Sequence, residues 1–92
     1  MQQAMSLKIE RSEQQQLTIF TLIGTLEAEH IPELERLLGA PTGYSKIIVD
    51  LKELRLADRN AVTFLSHCKV AGLKIEHCPA YIREWMMREM NE

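Results

Sequence analysis

The sequence has little of what exported or membrane-inserted proteins need. It contains two cysteines among 92 residues, too few for a disulfide framework, so we expect both thiols to be free. No apolar run approaches the roughly 18–20 residues of a membrane-spanning helix. Residues 1–10 lack the charged start and apolar centre of a signal peptide. These absences predict a cytoplasmic protein that does not insert directly into a membrane.

An excess of positive charge is also missing. Eleven Lys and Arg residues oppose 13 Asp and Glu residues, which gives a formal net charge of −2 at pH 7. Because nucleic-acid binding needs a surplus of cations to displace counterions from phosphate, we predict no nucleic-acid partner. With 46% hydrophobic residues, the chain is too apolar to be disordered. We therefore predict a single globular domain over residues 1–92.

Two patterns near the N-terminus predict a β-hairpin. Residues 5–10 alternate apolar and polar side chains, as an edge strand does, and residues 17–23 are rich in β-branched and aromatic side chains. The polar residues 11–16 are expected to form the connecting turn, and Gly24 to end the second strand. A link this short favours antiparallel pairing of the two strands.

Helices and strands alternate along the rest of the chain. Apolar residues from Ile31 to Leu38 recur at helical spacing, and Gly39 is the stop signal. Residues 46–51 contain a continuous apolar run, typical of a strand buried on both faces. A short strand is predicted over residues 73–76. The apolar residues that link the buried strand to the next helix are interpreted as a connection.

Start signals predict two further helices. Asp58 is a good N-cap, because its carboxylate can accept hydrogen bonds from unpaired backbone N–H groups. The apolar stripe of this helix comprises Ala61, Phe64, Leu65 and Cys68. Pro79 starts the last helix, with a stripe of Ile82, Trp85, Met86 and Met90. The order β-β-α-β-α-β-α predicts an α/β fold with a four-stranded, mostly parallel sheet, an antiparallel edge hairpin and three helices.

Two histidine–cysteine pairs are the main candidates for catalytic chemistry; Glu27 and Glu29 could form a pair of carboxylates, but a solvated helix start explains them. His67-Cys68 and His77-Cys78 offer four potential metal ligands, but their spacing is not that of a zinc site. Cys78 precedes a helix start, where a thiolate would be stabilised, yet no neighbouring base or second cysteine is implied. Gly-rich nucleotide-binding motifs are absent. We predict no metal, no cofactor, no catalytic residue and no enzyme; a thiol- or metal-dependent enzyme is the alternative of another class.

Two short motifs in this order resemble the STAS domain, the family of anti-sigma factor antagonists and sulfate-transporter tails. Asp50-Leu51 ends a buried strand, and after an apolar link Asp58 opens a helix. Upstream, a strand leads through Gly24-Thr25-Leu26 into the first helix. The resemblance extends over about residues 5–90 and agrees with the order of elements in that family.

The sequence departs from the family at the position that the family uses as a switch. The Ser that follows the motif's Asp in switching members, and that a partner kinase phosphorylates, is here Arg59; Asn60 and Ala61 follow. Phosphorylation would add a charge of roughly −2 at a helix start, whereas Arg59 is permanently positive and has no hydroxyl. Thr63 has the nearest hydroxyl, but it lies inside the helix. The ending Glu76-His77-Cys78-Pro79, which leads into an apolar helix, resembles small bacterial members that also lack the Ser motif.

This resemblance implies a non-catalytic protein-interaction module in bacterial signalling or transcription regulation. Its partner would be an anti-sigma, kinase-like or other signalling protein that contacts Asp58, Arg59, Asn60 and Thr63. The alternative is an accessory STAS subunit of a lipid-type ABC transporter, which neighbouring permease and ATPase genes would favour. Homodimerisation through the edge strand or the Met-rich last helix is a further prediction left open.

Overall fold

A five-stranded sheet and three α-helices form the part of the chain that the computed structural model describes, residues 7–90 with the side chains of residues 7–88. In chain order the elements are β1 (Leu7–Gln14), β2 (Leu17–Leu26), α1 (Ile31–Leu38), β3 (Ile47–Asp50), β4 (Leu54–Ala57), α2 (Arg59–Val70), β5 (Lys74–Glu76) and α3 (Ala80–Met90). β1 pairs with β2 antiparallel, and every other strand pair is parallel. The predicted α/β fold with an antiparallel edge hairpin is confirmed.

The hairpin has a tighter turn than the sequence predicts. β1 continues to Gln14, so the predicted turn over residues 11–16 is wrong for its first four residues. The chain reverses over Gln15 and Gln16, with φ of 51° and 70°. Two consecutive positive φ angles are what a two-residue hairpin with twisted strands requires. The sequence did not reveal this turn because neither position carries the Gly, Asn or Asp that favours it.

β2 is the central strand, and it does not end at Gly24 as predicted. The strand runs to Leu26 and changes partner on the way: its first half pairs with β3 and its last residues pair with β4. A register shift lies between Gly24 and Thr25, where Gly24 has a φ of 105° that suits glycine. The apolar segment that was predicted to be only a connection before α2 is thus β4, a fifth strand, which pairs with β2.

The helices complete one hydrophobic core with β2, β3 and β4. α2 buries Ala61, Leu65 and Cys68, as its predicted stripe requires, whereas Phe64 is half-buried at the edge of the core. On α3, Ile82 and Met86 are buried and Trp85 is half-buried, which leaves no exposed Trp85-Met86 patch. The side chain of Met90 lies outside the described residues.

The segment that connects α1 to β3 has regular structure of its own. It forms a 3-10 helix, Pro41–Lys46, that buries Tyr44. The Tyr44 hydroxyl lies 3.7 Å from the Cys68 sulfur, so the helix anchors the inner face of α2. Within residues 7–90, no helix is long and apolar enough to cross a bilayer.

Candidate functional site

The candidate site forms where β2 and β4 end side by side. Leu26 of β2 is in register with Ala57 of β4, and the Asp58 N–H donates to the Leu26 carbonyl oxygen at 3.1 Å. Loops at the carboxyl ends of parallel strands meet at one edge of the sheet, where α/β folds commonly bind their ligands. The turn after β2 and the start of α2 are therefore neighbours.

Asp58 joins these two segments through its carboxylate. Oδ1 accepts a hydrogen bond from the Ala61 N–H at 2.9 Å, which caps α2 and confirms the predicted N-cap. Oδ2 accepts from the Ala28 N–H at 3.0 Å, in the turn that follows β2. One side chain thus satisfies backbone donors of two segments that are 30 residues apart in sequence, and it fixes their relative position.

The turn after β2 has its own polar network, which the sequence did not reveal. The Glu27 N–H donates to His30 Nδ1 at 3.0 Å, and the His30 N–H donates to the Glu27 carbonyl oxygen at 2.9 Å. His30 Nε2 lies 3.8 Å from a Glu29 carboxylate oxygen. The contact between this turn and the start of α2 could have been expected from the topology, because loops at the carboxyl ends of parallel strands meet at one edge of the sheet.

The remaining predicted residues lie on the first turns of α2. Arg59 and Asn60 are exposed, and Thr63 is half-buried one turn later. The helix macrodipole favours negative charge at this end, so a cation at Arg59 runs against helix stability. We call the surface formed by Asp58, Arg59, Asn60 and Thr63 the docking surface. The structure brings all four residues together at one end of α2.

The histidine–cysteine pairs do not form a metal site. Among the described side chains, no group of three His, Cys, Asp or Glu residues is placed to hold a metal ion. Cys68 is buried, and burial raises the pKa of its thiol above the ordinary value of 9.0. Burial likewise raises the pKa of the half-buried Cys78, against a smaller lowering by Arg83 and Lys69. A raised thiol pKa disfavours the thiolate, which is the nucleophilic form of cysteine.

Comparison with known proteins supports the fold. Seven chains of solved structures match this chain. One of them is described as an antisigma-factor antagonist, STAS domain, from Rhodobacter sphaeroides; it superposes with a TM-score of 0.55 at 10% sequence identity and covers 75% of this chain and 82% of its own. No family model matches the sequence, and no curated protein matches it at a significant level. The resemblance inferred from the two motifs is confirmed as a STAS-like fold.

Proposed function

We propose that this protein is a non-catalytic interaction module whose docking surface binds a signalling protein of the anti-sigma or kinase-like type. The observation that carries the proposal is the pair of hydrogen bonds that Asp58 accepts from Ala61 and Ala28. These bonds hold the backbone under the docking surface in place. A backbone that is already ordered loses less conformational entropy when the partner binds. The solved antisigma-factor antagonist with the same fold supports the partner class.

The chemistry of the docking surface favours an acidic partner. Arg59 provides a permanent positive charge with several fixed N–H donors, which suits a carboxylate on the facing protein. Asn60, beside it, can both donate and accept hydrogen bonds. Arg is also among the residues that most often carry binding energy at protein interfaces. We therefore expect Arg59 to be the main anchor and Asn60 to add specificity.

The proposed interaction is independent of serine phosphorylation at the start of α2. The position of the family's switch residue is Arg59, which has no hydroxyl to modify. Its charge is opposite to that of a phosphate and does not change at physiological pH. Phosphorylation at this position therefore does not control the docking surface, and we expect complex formation to depend on the amount or the state of the partner.

A quantitative pull-down tests this proposal. The bait is the full chain as wild type, as Arg59→Glu and as Arg11→Glu, each incubated with an extract of the cells that produce the protein. Arg11→Glu makes the same change of charge on the exposed face of β1, away from the docking surface. We expect Arg59→Glu to reduce recovery of the specific partner at least tenfold and Arg11→Glu to leave it unchanged.

The outcome is decisive because the two variants have the same net charge. Equal recovery of every partner by wild type and Arg59→Glu would refute the docking surface. A loss that is equal in both variants would indicate attraction by overall charge instead, and would refute it too. Recovery of a permease or an ATPase, in place of a signalling protein, would replace the partner class by that of the transporter alternative.

A further inference from the structure

A separate pocket lies beside β5 and α3 and shares no residue with the docking surface. Its volume is about 320 Å³, at the lower end of the range for small-molecule sites. Three of its seven lining side chains are basic or imidazole groups: Lys69, His77 and Arg83. The other four are Ile75, Cys78, Met86 and Met87, and none of the seven is acidic. The pocket therefore combines an apolar wall with positive charge.

In the described part of the chain, the two cations Lys69 and Arg83 are not paired with carboxylates, whereas the imidazole of His77 lies beside the carboxylate of Asp50. Arg83 Nη1 donates to the Cys78 carbonyl oxygen at 3.3 Å, which orients the guanidinium and leaves its other N–H donors for a ligand. Both cations act to lower the pKa of the Cys78 thiol, so their field reaches the inner surface of the pocket.

His77 lines the pocket, and its imidazole is hydrogen-bonded to a neighbouring strand end. Its backbone has a φ of 56°, in the left-handed region that costs energy for a non-glycine residue. The imidazole Nδ1 lies 3.1 Å from Oδ1 of Asp50, a side chain that is buried at the end of β3. The same oxygen accepts from the Lys52 N–H at 2.9 Å. These contacts link the residue that follows β5 to the end of β3 and to the turn after it.

The apolar wall of the pocket consists mainly of side chains that can adjust to the shape of a ligand. Met86 is buried in the core, whereas Met87 is 57% exposed, and half-buried Ile75 lies between the basic groups and the core. Methionine side chains are unbranched and polarizable, and they adjust to irregular apolar ligands. An aliphatic chain on Ile75 and the methionines would remove this surface from water.

We propose that this pocket binds a small amphiphilic organic anion, an aliphatic carboxylate or phosphate monoester. The anionic head lies between Lys69 and Arg83, where two cations and no lining carboxylate meet it. The aliphatic chain lies against Ile75, Met86 and Met87. This second site goes beyond the proposed docking function and does not depend on it.

Cys78 provides a reporter for the proposed site, because its thiol lines the pocket. The experiment measures the rate of iodoacetamide alkylation at each cysteine by mass spectrometry, in titrations with octanoate, octyl phosphate, acetate and octan-1-ol. Buried Cys68 is the internal reference for unfolding. We expect octanoate or octyl phosphate to slow alkylation of Cys78 at least fivefold at saturation, without accelerating that of Cys68. Acetate has the anionic head without the long chain, and octan-1-ol has the chain without the charge. We expect each of them to change the rate of Cys78 alkylation less than twofold.

Matched variants on α3 separate charge recognition from a purely apolar contact. Arg83→Gln and Arg88→Gln each remove one positive charge from the same helix, but only Arg83 lines the pocket. With rates normalised to the ligand-free variant, we expect Arg83→Gln to raise the half-protecting concentration about tenfold and Arg88→Gln to leave it unchanged. Absence of protection by both anions, equal protection by octan-1-ol, or equal effects of the two variants would each overturn the proposal.

Discussion

The two ends of helix α2 differ in how they are built. At its start, Asp58 holds two chain segments together by hydrogen bonds, and the exposed groups around it are polar. At its other end, Lys69 borders a pocket whose walls are largely apolar and whose charge is positive. One end suits a polar contact with a protein surface, and the other suits a small amphiphilic anion. A helix fixed in the core can thus present two kinds of recognition at once.

Truncating the buried side chain that holds the middle of α2 in the core should have the largest effect on stability. Leu65 is 1% exposed in the middle of α2, and its truncation leaves a cavity in the core. We expect Leu65→Ala to lower the free energy of unfolding by about 2–5 kcal/mol, measured by urea denaturation. Val70→Ala, at a position that is 69% exposed on the same helix, is the control and should change it by less than about 0.5 kcal/mol. Similar losses in both would mean that α2 is not anchored by this face.

The start of α2 can be weakened selectively at Asp58. Asp58→Ala removes the cap and the bond to Ala28, and we expect it to lower the free energy of unfolding by about 1–2 kcal/mol. Asp58→Asn retains an acceptor for the Ala61 N–H but places an amide NH₂ group near the Ala28 N–H, so an intermediate loss is expected. A loss from Asn equal to that from Ala would show that the tie between the two segments provides most of the stabilisation.

Alkaline pH should lower the stability that depends on the groups near the other end of α2. Burial raises the pKa of Cys68, Cys78 and Tyr44 in the folded protein, so the unfolded chain releases these protons first as the pH rises. The contribution of these groups to stability is therefore fully present well below pH 9, where an unfolded thiol begins to ionise, and it is lost as the pH rises through the folded pKa values. Urea midpoints between pH 7 and 10.5 should fall above pH 9, less steeply in Tyr44→Phe. Midpoints that rise with pH would contradict the burial of these groups.

The smallest effect on stability is expected at Arg59. The side chain is exposed, and Glu is at least as favourable as Arg near a helix start. Any contact of an exposed side chain contributes little, so Arg59→Glu should change the free energy of unfolding by less than about 1 kcal/mol. A loss above 1 kcal/mol in urea denaturation would show that Arg59 has a structural role, and the pull-down would then need the variant Arg59→Gln.

The start of α2 was predicted correctly from local signals, whereas the pairing of β2 with β4 was not predicted. The capping role of Asp58 follows from its type and position next to an apolar stripe. Its bond to Ala28 depends on the parallel pairing of β2 with β4, and β4 itself is four residues long, too short for a clear period. Gly24 looks like a stop signal, yet its positive φ serves a register shift inside β2. The sequence alone shows φ preferences but not strand partners.

The pocket beside β5 is the part of the molecule that sequence reasoning missed. His77 and Cys78 were considered as metal ligands with His67 and Cys68, because adjacent residues stand out in a sequence. The structure instead surrounds them with Lys69 from α2 and Arg83 from α3, residues without any sequence pattern in common. Only packing of the two helices beside the last strand brings these cations together.

Hydrogen exchange of the complex with the recovered partner is the most direct test of the central claim, that the start of α2 is the docking surface. The footprint compares exchange rates of the free and bound chain at each backbone amide. We expect slowing confined to the first turns of α2 and the neighbouring turn Ala28–His30, with unchanged exchange in α3. Slowing confined to β1 or to α3, with the start of α2 unaffected, would contradict the claim.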